Sequence, residues 1–295
     1  MEDSVRRRGW VATVTDGERP NSYRVENTPP ADCSVAIVIP KRSSVLLERC
    51  LESLREKTRG GEYRVVVVKH LSGEAEDARI ASVAVAHGAR VVRYAGPFNF
   101  SKMCNEGARG AASNVLVFLN DDVEPVTEDW LVRMCGMLAR EGVGVVGARL
   151  MYPQGSIQHA GMVLGMSDGV GHAGRHLLGS SYWPWIDFSR DVSAVTGACM
   201  GVRRVLFAQL GGFDAAFPVN YNDVDLCLRA RQAGYRVVLE NGAVMIHREA
   251  VTRQGGTSAE ERLLFHQRWG HELEAGDEYF TPHLRLDVED LSLAG

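Results

Sequence analysis

Two acidic clusters and a late histidine are the residues of this sequence whose types and spacing could do chemistry. Asn120-Asp121-Asp122 ends an apolar run, Asp223 and Asp225 open a helical pattern, and His247 follows a later apolar run. Carboxylates at a strand end can hold a hard divalent cation that bridges substrate phosphates. A further carboxylate within reach of a hydroxyl can remove its proton. The pattern therefore suits an enzyme that holds a cation and a diphosphate and removes a proton nearby.

Each cluster also has a plainer structural interpretation. Asp-rich turns after strands are common, and Asn and Asp are preferred helix N-caps, so Asn222 fits simple capping. One of the two aspartates that follow it is then expected to face a cleft while the other supports the helix. A lone histidine such as His247 is more often a structural group than a ligand. Residues 142–147 match GxGxxG but run from a helix end into a strand, which is the wrong context for a dinucleotide site.

Composition and charge narrow the class of protein. The 295 residues can bury a substantial core. A formal net charge of -4 argues against nucleic acid as the main partner. The 6 cysteines show no CxxC or zinc spacing, which predicts reduced thiols in a cytoplasmic protein. No secretory signal is present and no apolar run approaches the ~20 residues of a membrane span, so peripheral contact at the inner face of the membrane stays an open alternative.

An alternation of strands and helices must position these clusters. Continuous apolar runs predict buried strands at residues 34–39, 64–68, 89–93, 115–119 and 143–146. The segments between them show helical spacing, including a predicted helix at 101–112 with Ser101 as its N-cap. This order implies a mainly parallel sheet with helices on both faces, and ligands bind beyond the carboxyl ends of its strands. Pro40, Lys69 and Asp121 fall at such ends.

The second half of the chain is less regular. Residues 150–194 predict glycine-rich loops that shape a pocket, followed by a strand at 194–202 and helices from Arg203 and Asn222. Two further strands are predicted at 236–239 and 243–246, and an amphipathic helix at 259–273. The predicted organisation is an irregular N-terminal extension (1–33), an α/β domain (34–257), and a C-terminal helix and tail packed on that domain (258–295).

Several long motifs occur in a characteristic order between residues 35 and 284. They include GPFNFSKMCNEGA, VLVFLNDDVEP, VTGACMGVRRVLFAQLGGFD, NDVDLCLRARQAGYRV, IHRE and RWG. With these motifs the chain resembles the family 2 glycosyltransferases of the GT-A fold, and within them the rhamnosyltransferase-like subgroup. The resemblance implies a nucleotide-diphospho-sugar transferase fold and an inverting transfer of a hexosyl or deoxyhexosyl group.

The resemblance also implies roles for individual residues. Asp122 and His247 would hold Mg²⁺ or Mn²⁺, and Asp223 would be the base that deprotonates the acceptor hydroxyl. Other residues would contact the donor, a UDP-, dTDP- or GDP-sugar: Pro40, Arg42, Lys69, Asn105, Asn120, Asp121, Gly197 and Ala198. Candidates to contact the acceptor, which is a glycan, a lipid-linked molecule or a small molecule, are Trp183, Trp185 and Asn222. A homodimer is compatible with the resemblance.

The sequence departs from the family pattern at the nucleotide end of the site. The second strand usually ends in an aspartate that reads the nucleobase, and here it ends in Lys69, which cannot accept a hydrogen bond. The base is then read differently, the donor has changed, or Lys69 contacts phosphate. Lys41 replaces a frequent threonine, and Asn120 and Asn222 replace acidic residues.

Two other hypotheses stay open beside the enzyme. A catalytically lapsed GT-A module that binds a nucleotide or a partner enzyme is favoured by Lys69, but it gives no reason to keep Asp122, Asp223 and His247 together. A nucleotidyltransferase on a related sheet would need a glycine-rich basic loop at the end of the first strand, and none is present.

Overall fold

A computed structural model describes residues 1–17, 19–41, 44–71, 73–167, 169–178, 184–248 and 258–295. The first half of the chain contains these elements: α1 (Glu2–Arg7), β1 (Ala12–Asp16), β2 (Tyr23–Asn27), β3 (Ser34–Lys41), α2 (Ser44–Lys57), β4 (Glu62–His70), α3 (Glu74–Ala86), β5 (Arg90–Tyr94), α4 (Phe100–Arg109), β6 (Val115–Leu119), β7 (Val123–Pro125), α5 (Trp130–Leu138) and β8 (Val143–Met151). The second half contains β9 (Ile157–His159), β10 (Met162–Leu164), β11 (Val170–His172), a 3₁₀ turn (Pro184–Asp187), β12 (Arg190–Asp191), β13 (Cys199–Arg203), α6 (Arg204–Gln209), α7 (Asn222–Gln232), β14 (Arg236–His247) and α8 (Ala259–Ala275).

A mixed sheet of 10 strands forms the centre, in the order β12-β14-β8-β13-β6-β3-β4-β5, with β7 on β14 and β9 on β8. Neighbouring strands from β6 to β5 are parallel, and so are β8 and β14. Strand β13 runs antiparallel to both β6 and β8, with Cys199 opposite Leu119. Because β13 is reversed, the residues before it lie at the same sheet edge as the residues after β6.

Apolar side chains cover both faces of this sheet. On one face Phe118 packs against Phe207 and Phe213, with ring centroids 5.0 and 4.8 Å away. On the other face Ile37 and Trp130 are fully buried. The six cysteines are free thiols, and none of the described helices combines the length and apolarity that a bilayer crossing requires. The predicted fold class, an α/β sheet with helices on both faces, is confirmed.

The prediction of irregular chain in residues 1–33 is wrong for two segments, which form β1 and β2, whereas their role as an extension of the domain stays a prediction. Strands β1 and β2 form an antiparallel hairpin, and it packs against α5. Arg140, which follows the end of α5, stacks on the Trp10 ring at 3.8 Å and donates to Asn27 Oδ1 at 2.7 Å. A Cβ at Gly136 would lie 2.0 Å from Asn27 O, so only glycine permits this approach. Pro20 lies in the turn between the two strands, and Pro29 and Pro30 follow β2.

Three local predictions also need correction. Helix α4 begins at Phe100, and Asn99, not Ser101, is its N-cap, with Asn99 Oδ1 accepting from Lys102 N at 2.9 Å. Ser101 Oγ instead donates to Phe217 O at 2.6 Å. The two strands predicted between residues 236 and 246 are one strand, β14, with a register shift between Glu240 and Val244. The strand predicted from residue 194 begins only at Cys199, where the ladder with β6 starts.

Candidate active site

Asp122 and His247 meet at the carboxyl edge of the sheet. Asp122 directly precedes β7, and His247 is the last residue of β14. These strands pair with Val123 opposite His247, and Arg248 N donates to Asp122 O at 3.0 Å. The ladder therefore fixes both side chains, and His247 Nε2 lies 3.1 Å from Asp122 Oδ1.

The electrostatic surroundings keep Asp122 ionised. Its side chain is 9% exposed, and burial alone would raise the pKa of this carboxyl. The hydrogen bond and charge of His247 and the charge of Lys41 outweigh that effect, so the pKa of Asp122 lies below its usual value. On the far side of the imidazole, His247 Nδ1 lies 2.6 Å from Gln158 Oε1.

The Asp122–His247 pair fits a divalent cation. Asp122 Oδ1 is a buried carboxylate oxygen with His247 Nε2 beside it at 3.1 Å, and a divalent cation can take such an oxygen and an imidazole nitrogen as ligands together. In the part of the chain that the structure describes, no group of three or more His, Cys, Asp or Glu side chains could hold a metal. Two protein ligands suffice for Mg²⁺ or Mn²⁺, since such ions keep waters and take further ligands from substrate phosphates.

The neighbouring residues of this cluster contact the strands beside it. Asp121 forms an ion pair with the buried Lys41 at the end of β3. Burial lowers the pKa of Lys41 to about 8, although the negative charges of Asp122 and Glu76 act to raise it. Asn120 N donates to Ala198 O at 2.9 Å, which joins the end of β6 to the start of β13. Asn120, Asp121 and Ala198 thus lie together at the predicted donor edge.

Asp223 lies in the first turn of α7 and faces the segment that precedes β13. Its Oδ2 accepts from Gly197 N at 2.8 Å, and its Oδ1 accepts from Val224 N at 2.9 Å. The carboxylate is half-buried. The predicted base and the predicted floor of the donor site, Gly197 and Ala198, are therefore in direct contact.

Asp225 lies two residues further along the same turn of α7, and its carboxylate contacts other side chains of the protein. It is fully buried and accepts from Arg229 Nε at 2.8 Å, Arg268 Nη1 at 2.8 Å and Trp269 Nε1 at 3.1 Å. Two of these donors belong to α8, so Asp225 ties α7 to the C-terminal helix. Of the two aspartates in this turn, Asp225 is the one that supports the helix.

The start of α7 differs from the predicted cap. Tyr221, not Asn222, is the N-cap residue, and it has a left-handed backbone with φ +60°. Asn222 is buried as the first helical residue, and its Nδ2 donates to Val219 O at 3.0 Å. The contact of Asn222 with an acceptor remains a prediction.

Lys69 and Asn105 are engaged by the protein itself. The ammonium of Lys69 donates to Asp77 O at 3.0 Å and lies 3.9 Å from Asp77 Oδ2, and the residue is 6% exposed. Both polar atoms of the Asn105 amide pair with the backbone of Phe213, at 2.8 and 2.9 Å. Pro40 is buried opposite Val68 in the β3–β4 ladder.

Trp185, an aromatic candidate for acceptor contact, packs against the C-terminal tail. Trp185 belongs to the 3₁₀ turn, where its ring meets Phe280 at 6.2 Å and the Arg190 guanidinium at 4.6 Å. The contact of Trp185 with an acceptor remains a prediction. Arg42 and Trp183 lie outside the described residues.

Three residues that sequence reasoning missed form hydrogen bonds with residues of the site or with the loop before α7. Gln158 contacts His247, and its neighbour His159 accepts from Thr196 N at 3.5 Å beside the donor floor. Glu261 of α8 accepts from Val219 N and Asn220 N, both at 2.8 Å, in the loop before α7. The available signal for Gln158 and His159 was their place in a further motif of the resemblance, VGARLMYPQGSIQHAGMVLG at residues 146–165. A first-turn glutamate such as Glu261 carries no signal of its own.

This fold and site define a GT-A type sugar-nucleotide transferase architecture. GalNAc-T7, solved with UDP, GalNAc and Mn²⁺, superposes with a TM-score of 0.68 at 14% identity, over 92% of this chain and 56% of that one. The mannosyltransferase PcManGT of Pyrobaculum calidifontis, solved with GDP-Man and Mn²⁺, gives 0.55 at 16% identity, over 88% and 73%. At these identities the likeness concerns the fold.

Sequence comparison names the family. Residues 29–271 match the family described as "Glycosyltransferase like family 2", and the chain belongs to it. The chain is 34% identical, over 99% of its length, to the protein y4gI of Sinorhizobium fredii, and spans 34% of that protein. It is 33% identical over 99% of its length to the O-antigen biosynthesis protein RfbC of Myxococcus xanthus, and spans 23% of it. An N-acetylglucosaminyl-diphospho-decaprenol L-rhamnosyltransferase of Mycobacterium tuberculosis is 26% identical, over 50% of this chain and 52% of that protein. The predicted resemblance to family 2 is confirmed.

Proposed function

We propose that this chain transfers a hexosyl or deoxyhexosyl group from a nucleoside-diphosphate sugar to an acceptor hydroxyl, with inversion at the anomeric carbon. The observation that carries the proposal is the meeting of three groups at one sheet edge. Asp223 is hydrogen-bonded to Gly197, and the next residue, Ala198, is hydrogen-bonded to Asn120. Asn120 lies two residues before Asp122, which pairs with His247. A base and a cation site thus flank a short backbone segment that can lie under a donor sugar.

Asp122 and His247 would hold Mg²⁺ or Mn²⁺ together with the donor diphosphate. When bound, such an ion stabilises the negative charge that the departing diphosphate acquires. The protein's own part is to keep Asp122 ionised and His247 fixed by the β7–β14 ladder. Because this placement exists before the donor arrives, little free energy is spent on arranging charge during the reaction.

Asp223 would act on the acceptor. The acceptor oxygen forms a bond to the anomeric carbon while the bond from that carbon to the diphosphate oxygen breaks with its electron pair. The hydroxyl proton passes to the Asp223 carboxylate as the oxygen attacks. One displacement with one base inverts the anomeric configuration.

The relatives' names support a role in surface-polysaccharide assembly. RfbC is named for O-antigen biosynthesis, and the mycobacterial relative is named for transfer to a diphospho-decaprenol carrier. We propose a UDP-, dTDP- or GDP-sugar as donor, and a glycan, lipid-linked or small-molecule acceptor at the cytoplasmic side of the membrane.

The second candidate is a binding module without turnover. The observation that favours it is Lys69, whose buried ammonium contacts α3 and gives a nucleobase no acceptor. This module would bind a nucleotide, and it would use Asp223 only to hold Gly197.

One experiment separates the two candidates. UDP, dTDP, GDP and CDP are added with Mn²⁺ or with EDTA, and the melting temperature is measured, because a ligand of the folded state raises it. The matching sugar nucleotide is then assayed for hydrolysis, which needs no identified acceptor, in wild type, Asp223→Asn and the exposed control Asp16→Asn.

The enzyme proposal expects a metal-dependent shift with one nucleotide, turnover in wild type and control, and binding without turnover in Asp223→Asn. Turnover that survives intact in Asp223→Asn contradicts the assignment of the base. Nucleotide binding with no turnover in wild type favours the binding module.

A further inference from the structure

The contact between Gln158 and His247 determines which nitrogen of the imidazole is free. Gln158 lies in β9, is 4% exposed, and places Oε1 2.6 Å from His247 Nδ1. An amide oxygen can accept a hydrogen bond but cannot donate one, so Nδ1 carries a proton. In a neutral imidazole the other nitrogen, Nε2, then has a lone pair.

That lone pair points at a carboxylate. His247 Nε2 lies 3.1 Å from Asp122 Oδ1, and an ionised carboxylate oxygen can only accept a hydrogen bond. Two acceptors at this distance repel each other unless a positive charge lies between or beside them. A proton on Nε2 or a divalent cation that takes both atoms as ligands relieves the repulsion.

The position of Gln158 depends on the sheet rather than on the donor. Strand β9 pairs with β8, with Ile157 opposite Met151, and Met151 is opposite Ile246 in β14. Ile157 is further held by hydrogen bonds with Leu177 O and His176 N, at 2.9 and 2.7 Å. The amide is therefore in place before any ligand binds.

We infer that Gln158 is a positioning residue that locks His247 in the Nδ1–H tautomer and so prepares the Asp122–His247 pair for a divalent cation. The inference rests on the metal site of the proposed function. Partners of this kind behind a ligating histidine typically change metal affinity about 10–100-fold when they are removed.

The test compares two substitutions at Gln158. Gln158→Leu has no acceptor, whereas Gln158→Glu retains an oxygen that accepts from Nδ1. Gln154→Leu, an exposed glutamine just before β9, is the matched control. Free Mn²⁺ is followed by electron paramagnetic resonance while MnCl₂ is titrated into each protein, alone and with UDP, dTDP or GDP. The ¹⁵N shifts of His247 in the metal-free proteins report which nitrogen carries the proton.

We expect Gln158→Leu to bind Mn²⁺ about 10–100-fold more weakly, and Gln158→Glu and Gln154→Leu to bind it at least as tightly as wild type. The ¹⁵N shifts should show Nδ1–H in wild type and Gln158→Glu, and a mixture of tautomers in Gln158→Leu. Equal Mn²⁺ affinity of Gln158→Leu and wild type, or failure of Gln158→Glu to restore it, overturns the role of Gln158. If wild type binds no Mn²⁺ under any of these conditions, the metal site of the proposed function fails and the inference fails with it.

Discussion

Two aspartates in one helical turn show how surroundings decide the role of a residue. Asp223 is half-buried and bonded to the backbone of Gly197. Asp225 is fully buried among Arg229, Arg268 and Trp269. Sequence reasoning could place both in the first turn of α7, but the partners that distinguish them, Gly197 for Asp223 and two α8 residues for Asp225, lie far along the chain. The half-buried carboxylate of Asp223 suits proton transfer, and the fully buried carboxylate of Asp225 suits stability.

Replacing Asp225 with Asn should destabilise the protein. The charge that Arg229 and Arg268 share would be lost, and a hydrogen bond to a charged group contributes about 1.5–3 kcal/mol. Urea unfolding should show a loss of at least this size. Asp191→Asn, which breaks the more exposed pair with Arg236, should cost less than about 1 kcal/mol. Equal losses in the two variants would contradict the supporting role of Asp225.

Lys69→Met tests whether the unusual lysine contacts the donor. Because its ammonium contacts the first turn of α3, we expect about 1–3 kcal/mol lower stability. The affinity for the nucleotide found in the panel should stay within about twofold, since a loss below 0.5 kcal/mol is typical away from a binding contact. Calorimetry that shows a tenfold or greater loss of affinity would instead assign Lys69 to the phosphates.

At the scale of elements, the short strand β9 supports two parts of the site. Gln158 contacts His247, and His159 contacts Thr196 next to the donor floor. His159 Nδ1 also lies 2.9 Å from His172 Nδ1, on β11. Burial, with the charges of His172 and Arg190, holds the pKa of His159 well below its usual value. His159 is therefore neutral in the folded protein near pH 7.

His159 gives the stability a defined pH dependence. Below pH ~6.5 the unfolded chain protonates this residue and the folded chain does not, so stability falls as the pH falls. The slope from this one group is at most about 1.4 kcal/mol per pH unit. Urea unfolding at pH 7.5 and 5.5 should show a larger loss for wild type than for His159→Gln. An equal loss in both proteins would contradict the neutral state of His159.

Helix α8 positions the loop that leads into α7. Glu261 accepts from Val219 and Asn220, and Tyr221 stacks on Phe265 with centroids 4.3 Å apart. Glu261→Ala should lose about 1–3 kcal/mol of stability, because two backbone N–H groups lose their partner. Transfer should slow roughly tenfold or more as Asp223 shifts, while nucleotide affinity stays unchanged. The exposed neighbour Glu260→Ala serves as control; a fall in nucleotide affinity equal to the fall in rate would argue against a role in placing the base.

At the scale of the molecule, sequence predicts the sheet better than the site. Continuous apolar runs predict the ends of β3, β4 and β6 to within a few residues. Strands buried on both faces need apolar side chains at every position, so their sequences are continuous apolar runs. The reversal of β13 has no such signal, since periodicity does not record strand direction. The N-terminal hairpin was missed because its strands are short and half-exposed. The partners of Lys69 and Asn105 depend on side-chain contacts across elements, which no local pattern encodes.

A chain that stops at residue 257 should not fold into the same domain. It would lack Arg268 and Trp269, which bind Asp225, and Glu261, which holds the loop before α7. Leaving such a buried carboxylate without these partners is strongly unfavourable. We expect no cooperative thermal transition in circular dichroism, and a transition like that of residues 1–295 would contradict the dependence on α8.

The bond between Asp225 and α8 has a consequence for longer proteins that carry a related segment. This chain spans 34% and 23% of two such proteins. If this segment were moved into another chain by recombination, a crossover at the end of the sheet would separate Asp225 from Arg268 and Trp269. Productive junctions are expected beyond α8, so this helix would mark the end of the smallest piece of this chain that can be inherited intact.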